Sequence, residues 1–142
     1  RLPHGRQGGK GNVGPHQLFE VHQDQRYADQ GNGVVQVGMD TPQVTVEDFL
    51  AAGQLVAAGH RAIGHADDGG WWLLGLPHGA DAMALIDVPM SHDDTGARTE
   101  EALGGDLEHL QIRRDMDSWE DAVAIASDLP ISRLAAVVGT LT

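Results

Sequence analysis

Histidine and aspartate side chains occur close together at four places in this 142-residue sequence. The four groups are His22/Asp24, His65/Asp67/Asp68, His78/Asp81 and His92/Asp93/Asp94. Neutral imidazole and carboxylate groups together suit zinc, manganese or non-haem iron, and a carboxylate can also orient a histidine that is a metal ligand. Aspartate is common in this chain, so some pairs are expected by chance, and a solvated acidic loop is the alternative interpretation of each group.

His92 and Asp93 have the most favourable position of these groups. They follow an apolar segment, residues 83–88, that reads as a strand, and Asp40 follows the predicted strand over residues 34–39 in the same way. Ligands of open α/β sheets bind beyond the carboxyl ends of the strands. If the two strands are parallel, these side chains converge on one edge of the sheet and bind a divalent metal. The predicted metal ligands are His92, Asp93, Asp40 and His65.

The sequence indicates no other catalytic chemistry. It contains no cysteine, which excludes disulfides, thiolate zinc sites and cysteine nucleophiles. No G-x-S-x-G motif surrounds any serine. Residues 9–14 match G-x-G-x-x-G, but no strand precedes them and Pro15 follows, so a glycine-rich arm is the better interpretation. We therefore predict no cofactor-binding residue, and the catalytic residues stay unassigned.

Residues 45–76 contain the strongest helix signal. Thr45 and Asp48 form a capping-box pattern, and apolar residues then recur every three or four positions as far as Ile63. This helix is apolar on almost every side, which predicts that it lies inside the fold. His60 lies on its apolar stripe, so we expect a core histidine that is hydrogen-bonded to backbone.

Three segments read as strands, namely residues 34–39, 71–76 and 83–88. The first two flank the helix, which predicts a right-handed parallel crossover. The six-residue link between the last two is also short enough for an antiparallel hairpin, which would separate the predicted metal ligands.

The last third of the chain reads as helical. Helices are expected over about residues 99–114, from a Ser118–Asp121 capping box, and from about Pro130. The predicted fold class is α/β or α+β, with a small mixed sheet of three to four strands, one buried central helix and a helical C-terminal third. We expect a flexible glycine-rich arm over residues 1–16 and a single globular domain over residues 17–142.

The composition narrows the function classes. The formal net charge is −12, so the surface should repel phosphate backbones, and we expect no nucleic-acid partner. No apolar segment is long enough to span a membrane, so we expect no membrane partner and a soluble, cytoplasmic protein.

Three functional interpretations remain open from the sequence. The first is a small acidic domain to which no activity can be assigned; because the chain begins with Arg and is rich in amino acids of GC-rich codons, a spurious or partial reading frame is one explanation. The second is a metal-dependent enzyme or metal-binding domain. The third is a non-catalytic interaction module that forms a homo-oligomer through the C-terminal helices, residues 119–141.

Overall fold

A computed structural model describes Gly31 and residues 33–142 of the chain. The elements are β1 (Val34–Val37), α1 (Val46–Ala57), β2 (Ala62–His65), β3 (Trp71–Leu76), α2 (Gly79–Ala84), α3 (Thr95–Ala102), β4 (Glu108–His109), α4 (Trp119–Asp128) and α5 (Arg133–Leu141). The predicted glycine-rich arm and the His22/Asp24 pair lie outside the described residues, and the single domain over residues 17–142 stays a prediction.

The four strands form a mixed sheet in the order β1-β3-β2-β4. Strand β3 is antiparallel to both of its neighbours, whereas β2 and β4 are parallel. Strands β1, β2 and β4 therefore all run in one direction. The predicted small mixed sheet with helices is confirmed. The predicted parallel crossover from β1 to β3 is wrong, because the chain first forms β2 and then returns as a hairpin.

Helix α1 begins where the sequence predicts and ends six residues earlier. Thr45 caps it, accepting a hydrogen bond from the backbone N–H of Asp48 while the Asp48 carboxylate accepts one from the Thr45 N–H. Gly59, with φ of 87°, follows the helix in a conformation that suits glycine, and the predicted last turn forms strand β2 instead. Apolar spacing alone does not distinguish a helix end from a short buried strand.

Helix α1 is also less buried than the sequence predicts. Ala52 and Val56 are its buried residues, whereas Val46, Phe49 and Leu50 are exposed. His60 is exposed as well, so the expected core histidine is wrong. The helix packs one small-residue face on the sheet, and its larger apolar side chains point outward.

The segment from residue 79 to residue 102 differs most from prediction. Residues 83–88 form no strand: α2 ends at Ala84, and the following Leu85 and Val88 turn back into the core. The predicted helix over residues 99–114 is the shorter α3, which ends before two glycines at positive φ. An apolar run of six residues suits a buried turn as well as a buried strand, which explains the error.

The Ser118–Asp121 capping box is present at the start of α4, and Ser132 caps α5. These two helices share a small core of their own with Ala122, Ala126 and Val138 at its centre. The helical C-terminal third is thus confirmed. Among the described residues, no helix is both long and apolar enough to cross a membrane.

Two apolar clusters cover the sheet. Alternation along the strands places Val35, Val37 and Leu73 on one face of the sheet. They belong to a cluster that also contains Ala52 of α1 and the fully buried Trp72. The other cluster contains Val34, Ile63, Leu74, Leu76, Ala82, Leu85, Val88 and Leu103, so it joins β1, β2 and β3 to α2 and to the end of α3. Both clusters leave the edge where β1, β2 and β4 end free for polar side chains.

Arg113 connects that edge to the core. Its guanidinium donates two hydrogen bonds, of 2.7 and 2.8 Å, to the carboxylate of Asp48 and lies 5.0 Å from the centre of the Trp72 ring. Burial by itself raises the pKa of Asp48, but hydrogen bonds from Thr45 and Arg113 outweigh it and hold that pKa below its ordinary value. Asp48, which belongs to the capping box of α1, therefore also anchors the segment after β4.

Candidate metal and ligand site

A cavity of about 460 Å³ opens at the carboxyl edge of the sheet. Its volume lies in the range of small-molecule sites. The side chains and backbone that line it come from four separate segments, namely Gly38, Asp40, Asp68, Gly70, Trp71, Met90, Ser91, His92, Asp93, Thr95, Asp115 and Asp117. We call this site the aspartate cavity, because five of the lining residues are aspartates.

The strand directions bring these segments together. Asp40 follows β1, Asp68 lies in the hairpin after β2, and Asp115 and Asp117 follow β4, so all four lie beyond the carboxyl ends of parallel strands. The backbone N–H of Met116 donates to the carbonyl of Asp40 at 2.8 Å, which holds the segment after β4 against the segment after β1. The cavity is therefore built on backbone hydrogen bonds between strand extensions.

The loop over residues 89–94, which carries His92, closes the remaining side of the aspartate cavity. The buried Thr95 hydroxyl accepts a hydrogen bond from the His92 N–H at 3.1 Å and donates to the Pro89 carbonyl at 2.9 Å. Gly69 lies against this loop so closely that a Cβ there would be 1.8 Å from the carbonyl oxygen of Asp93. Only glycine fits this contact, so the loop's position depends on Gly69.

The charge of the cavity is one-sided. Neither lysine nor arginine is among the described residues that line it. Burial raises the pKa of Asp115, and the nearby carboxylates of Asp68, Asp117 and Asp40 raise it further, although a 2.7 Å hydrogen bond from Thr41 acts in the opposite direction. Burial is therefore the largest cause of the raised pKa of Asp115, and repulsion between the carboxylates adds to it.

Comparisons with known proteins assign the chain to a family. A family profile matches residues 6–92, more than half of the chain, and it is described as "Uncharacterized protein conserved in bacteria (DUF2064)". The chain belongs to this DUF2064 family. The matched residues include Asp40, Asp68 and His92 of the aspartate cavity. A match to a family that is conserved in bacteria does not fit the spurious reading frame considered above.

A solved structure shares the fold of this DUF2064 chain. It is described as a "putative nucleotide-diphospho-sugar transferase" from Desulfovibrio desulfuricans G20, and it matches with a TM-score of 0.72 and 20% sequence identity. The match covers 92% of this chain and 61% of that one, so this chain spans less than two thirds of its neighbour's length. No curated protein matches the chain.

Three of the four predicted metal ligands line one cavity in this DUF2064 chain. Asp40, His92 and Asp93 all lie at the aspartate cavity, although His92 and Asp93 are carried by a loop and not by the strand that was predicted before them. His65 lies elsewhere. Whether these residues bind a metal stays a prediction at this point.

Asp115 and Asp117 are not among the metal ligands predicted from the sequence, and Asp68 belongs there only to the His65 group. The D-x-D spacing of Asp115 and Asp117 places two carboxylates on one side of an extended segment, and that pattern could have drawn attention to them. Strand β4, which positions them, has two residues and gives almost no sequence signal.

The other histidine–aspartate groups have different surroundings. His65 pairs with Glu100, whose carboxylate also accepts a hydrogen bond from His109 at 3.1 Å. Burial by itself raises the pKa of Glu100, but the two histidines outweigh it and hold that pKa below its ordinary value. Asp81 is buried, and its carboxylate accepts a hydrogen bond from the His78 N–H. The same carboxylate forms an ion pair with Arg61 at 2.7 Å, so Asp81 stabilises the start of α2.

Proposed function

We propose that the aspartate cavity binds a divalent cation and, through it, the diphosphate of a nucleotide-diphospho-sugar, as part of a transferase. The observation that carries this proposal is the convergence of five carboxylates, without lysine or arginine among the described lining residues, on a cavity of substrate size. The fold shared with the Desulfovibrio protein, and the description of that protein, support the choice of substrate class.

The donor set fits a hard cation. Carboxylate oxygens are the ligands that Mg²⁺ and Mn²⁺ prefer in proteins, and neighbouring imidazole is compatible with Mn²⁺. Asp40, Asp115 and Asp117 would hold the ion, because the hydrogen bond from the Met116 N–H to the Asp40 carbonyl joins the two segments that carry them. His92 and Asp93 line the same cavity. Burial and, to a smaller extent, the neighbouring carboxylates raise the pKa of Asp115, and a bound cation would offset the repulsion between these carboxylates.

The negative charges of the aspartates also determine how a diphosphate can bind in the cavity. A diphosphate would be repelled by five aspartates, so its binding to this cavity requires the cation between them. A bound divalent ion would neutralise phosphate charge and polarise a phosphoryl oxygen. The Trp71 side chain forms part of the wall and offers an aromatic surface next to the aspartates.

The proposal is tested by binding measurements on the full chain. We expect Mn²⁺ to change the tryptophan fluorescence, because Trp71 lines the cavity, and a panel of nucleotide-diphospho-sugars to bind only when Mn²⁺ is present. Asp117→Asn should weaken Mn²⁺ binding at least tenfold, because it removes one carboxylate and its charge. Asp128→Asn removes an equal charge from an exposed position on α4 and serves as the matched control. Nucleotide-sugar binding that needs neither Mn²⁺ nor Asp117 would contradict the proposal.

We also propose, as a second function, that the C-terminal helices form a contact between copies of the chain. Trp119, Ile131, Val137 and Leu141 on or beside α4 and α5 are about half to fully exposed, which is unusual for large apolar side chains that lie near one another in sequence. Sedimentation should then reveal a concentration-dependent dimer that Ile131→Asp disrupts. A monomer at all concentrations would rule this out. The expected absence of nucleic-acid and membrane partners and the cytoplasmic location stay predictions.

A further inference from the structure

We propose that His65, Glu100 and His109 form a second cation site, selective for Zn²⁺ and similar borderline metals. We call these three residues the His65 triad. None of them lines the aspartate cavity, and the inference does not depend on the transferase proposal.

The ligand atoms of the His65 triad already converge. One nitrogen from each histidine and one oxygen from Glu100 all lie within 4.8 Å of one another. The Nε2 atoms of both histidines approach the same Glu100 oxygen, Oε1, and the two rings meet edge to face with centroids 5.6 Å apart. Ligands of one zinc ion lie about 2.0–2.2 Å from it. Side-chain rotations that move the ligand atoms by roughly an ångström would therefore bring all three into the coordination shell of one ion.

The triad is held by three different elements. His65 ends β2, His109 ends the neighbouring parallel strand β4, and Glu100 lies on α3, which covers them. Backbone hydrogen bonds from Glu108 to Arg61 at 2.9 Å and from Leu110 to Ile63 at 2.8 Å fix the two strands on which the histidines lie. A metal ion bound here would therefore join α3 to the strand pair.

Close packing fixes the orientation of the first histidine. A Cβ added at Gly96 of α3 would lie 2.6 Å from Nδ1 of His65 and 2.8 Å from the carbonyl oxygen of Gly70. The absence of a side chain at Gly96 lets the helix pass directly over the imidazole ring. The ring is thereby held with Nε2 toward Glu100, and a fixed imidazole loses less entropy on binding a metal.

The donor types determine the metal. Two imidazoles and one carboxylate suit Zn²⁺, Co²⁺ or Ni²⁺, whereas Mg²⁺ prefers oxygen ligands only. Three protein ligands leave a position for water, and the His109 side chain is 56% exposed, so solvent reaches this side of the site. A cation among the three atoms would replace the hydrogen bonds that Glu100 now accepts with stronger metal–ligand bonds.

The triad and the aspartate cavity are neighbours but separate sites. Helix α3 contributes Thr95 to the cavity from its first turn and Glu100 to the triad from its second. The backbone of Gly69 and Gly70 lies between them, where the Gly96 N–H donates to the Gly69 carbonyl at 2.8 Å. Metal binding at one site can therefore be removed by substitutions that leave the other intact.

The test is a Zn²⁺ titration of the full chain by calorimetry, with Co²⁺ absorption as a report on ligand geometry. We expect one Zn²⁺ per chain at this site and a Co²⁺ spectrum of low coordination number. His109→Ala should weaken Zn²⁺ binding by more than about 100-fold, because loss of a group that only supports a metal ligand already costs 10–100-fold. The exposure of His109 makes this substitution compatible with folding, which circular dichroism would verify.

Two matched variants complete the experiment. His60→Ala removes an exposed histidine outside the triad, and Asp117→Asn removes a ligand candidate of the other site; both should retain Zn²⁺ binding. The proposal is overturned if the wild-type chain binds no Zn²⁺, if His109→Ala binds it as tightly as the wild type, or if Asp117→Asn is the variant that loses it.

Discussion

The aspartate cavity and the His65 triad both bring together groups that can bind metals. They differ in what surrounds their carboxylates. In the triad, Glu100 accepts hydrogen bonds from two histidines, and its pKa is held down. In the cavity, burial raises the pKa of Asp115, and the carboxylates of Asp68, Asp117 and Asp40 raise it further. The charges of the triad therefore stabilise one another, whereas the carboxylates of the cavity repel one another, and a cation or a proton would relieve that repulsion.

This difference indicates which site is built around a ligand. Groups that stabilise one another have a structural role whether or not a metal is present. Groups that destabilise one another are retained where binding requires them, which is why strongly perturbed pKa values are concentrated at functional sites. This contrast supports the proposals of a central function at the aspartate cavity and a supporting cation at the triad.

The largest expected effect comes from two glycine substitutions that each break one site. Gly69→Ala would force a Cβ to within 1.8 Å of the Asp93 carbonyl at a φ of 93°, so we expect a loss of about 3 kcal/mol or more in the free energy of unfolding and loss of Mn²⁺ binding. Gly96→Ala should cost about 1–3 kcal/mol and impair Zn²⁺ binding. Denaturant unfolding and metal titrations measure both; equal loss of both metals in each variant would contradict separate sites.

Zinc should stabilise the fold through the triad. Saturation at 100 times the dissociation constant adds about 2.7 kcal/mol to the free energy of unfolding, because the ion binds the folded chain. For a chain of this size we expect Tm to rise by roughly 5–10 °C. Differential scanning calorimetry should find this increase in the wild type and in Asp117→Asn but not in His109→Ala. An increase that persists in His109→Ala would assign the stabilising zinc to another part of the chain.

How far the sequence anticipates these sites depends on the distance between the interacting residues. The Thr45–Asp48 and Ser118–Asp121 capping boxes are correctly predicted, since each involves residues three positions apart. Strand β2 is missed because its apolar residues continue the spacing of the helix before it. The aspartate cavity is predicted in part, since Asp40 follows a strand that the sequence does reveal.

The remaining contacts have no local signal. The members of the His65 triad are separated by 35 positions in one pair and nine in another, and they meet only because β2 and β4 pair. Apolar periodicity reports which face of an element is buried, but it carries no information about which strands become neighbours. Strand order had to come from the structure.

A substitution at the start of α1 should affect both sites together. Asp48→Asn weakens the hydrogen bonds from Arg113, which anchors the segment between His109 and Asp115. We expect a loss of about 1–2 kcal/mol at neutral pH and modestly weaker binding of both Mn²⁺ and Zn²⁺.

The pH dependence of this effect has a definite sign. The pKa of Asp48 is lowered on folding, so its contribution is complete above the ordinary aspartate pKa and is lost as the pH falls through the lowered value. The stability difference between wild type and Asp48→Asn should therefore shrink on acidification, as measured by denaturant unfolding at a series of pH values. A constant difference would mean that the carboxylate's charge is irrelevant.

The smallest expected effect has the opposite direction. The pKa of Asp115 is raised on folding, so its ionisation destabilises the fold once the pH exceeds the pKa of the unfolded chain. Asp115→Asn keeps an oxygen that can accept the Thr41 hydrogen bond and removes the charge. We expect a gain in stability of at most about 0.5 kcal/mol at neutral pH, since solvent still screens the partly buried carboxylate, and no gain at low pH. A loss of stability at neutral pH would contradict the repulsion inferred for the cavity.

The most direct test of the central claim is to count the Mn²⁺ bound to the full chain by electron paramagnetic resonance, in which only the free ion gives a sharp signal. We predict one bound Mn²⁺ per wild-type chain, the same result for His109→Ala, and binding at least tenfold weaker for Asp117→Asn. Equal Mn²⁺ binding by Asp117→Asn and the wild type would contradict the assignment of the aspartate cavity as the cation-dependent site.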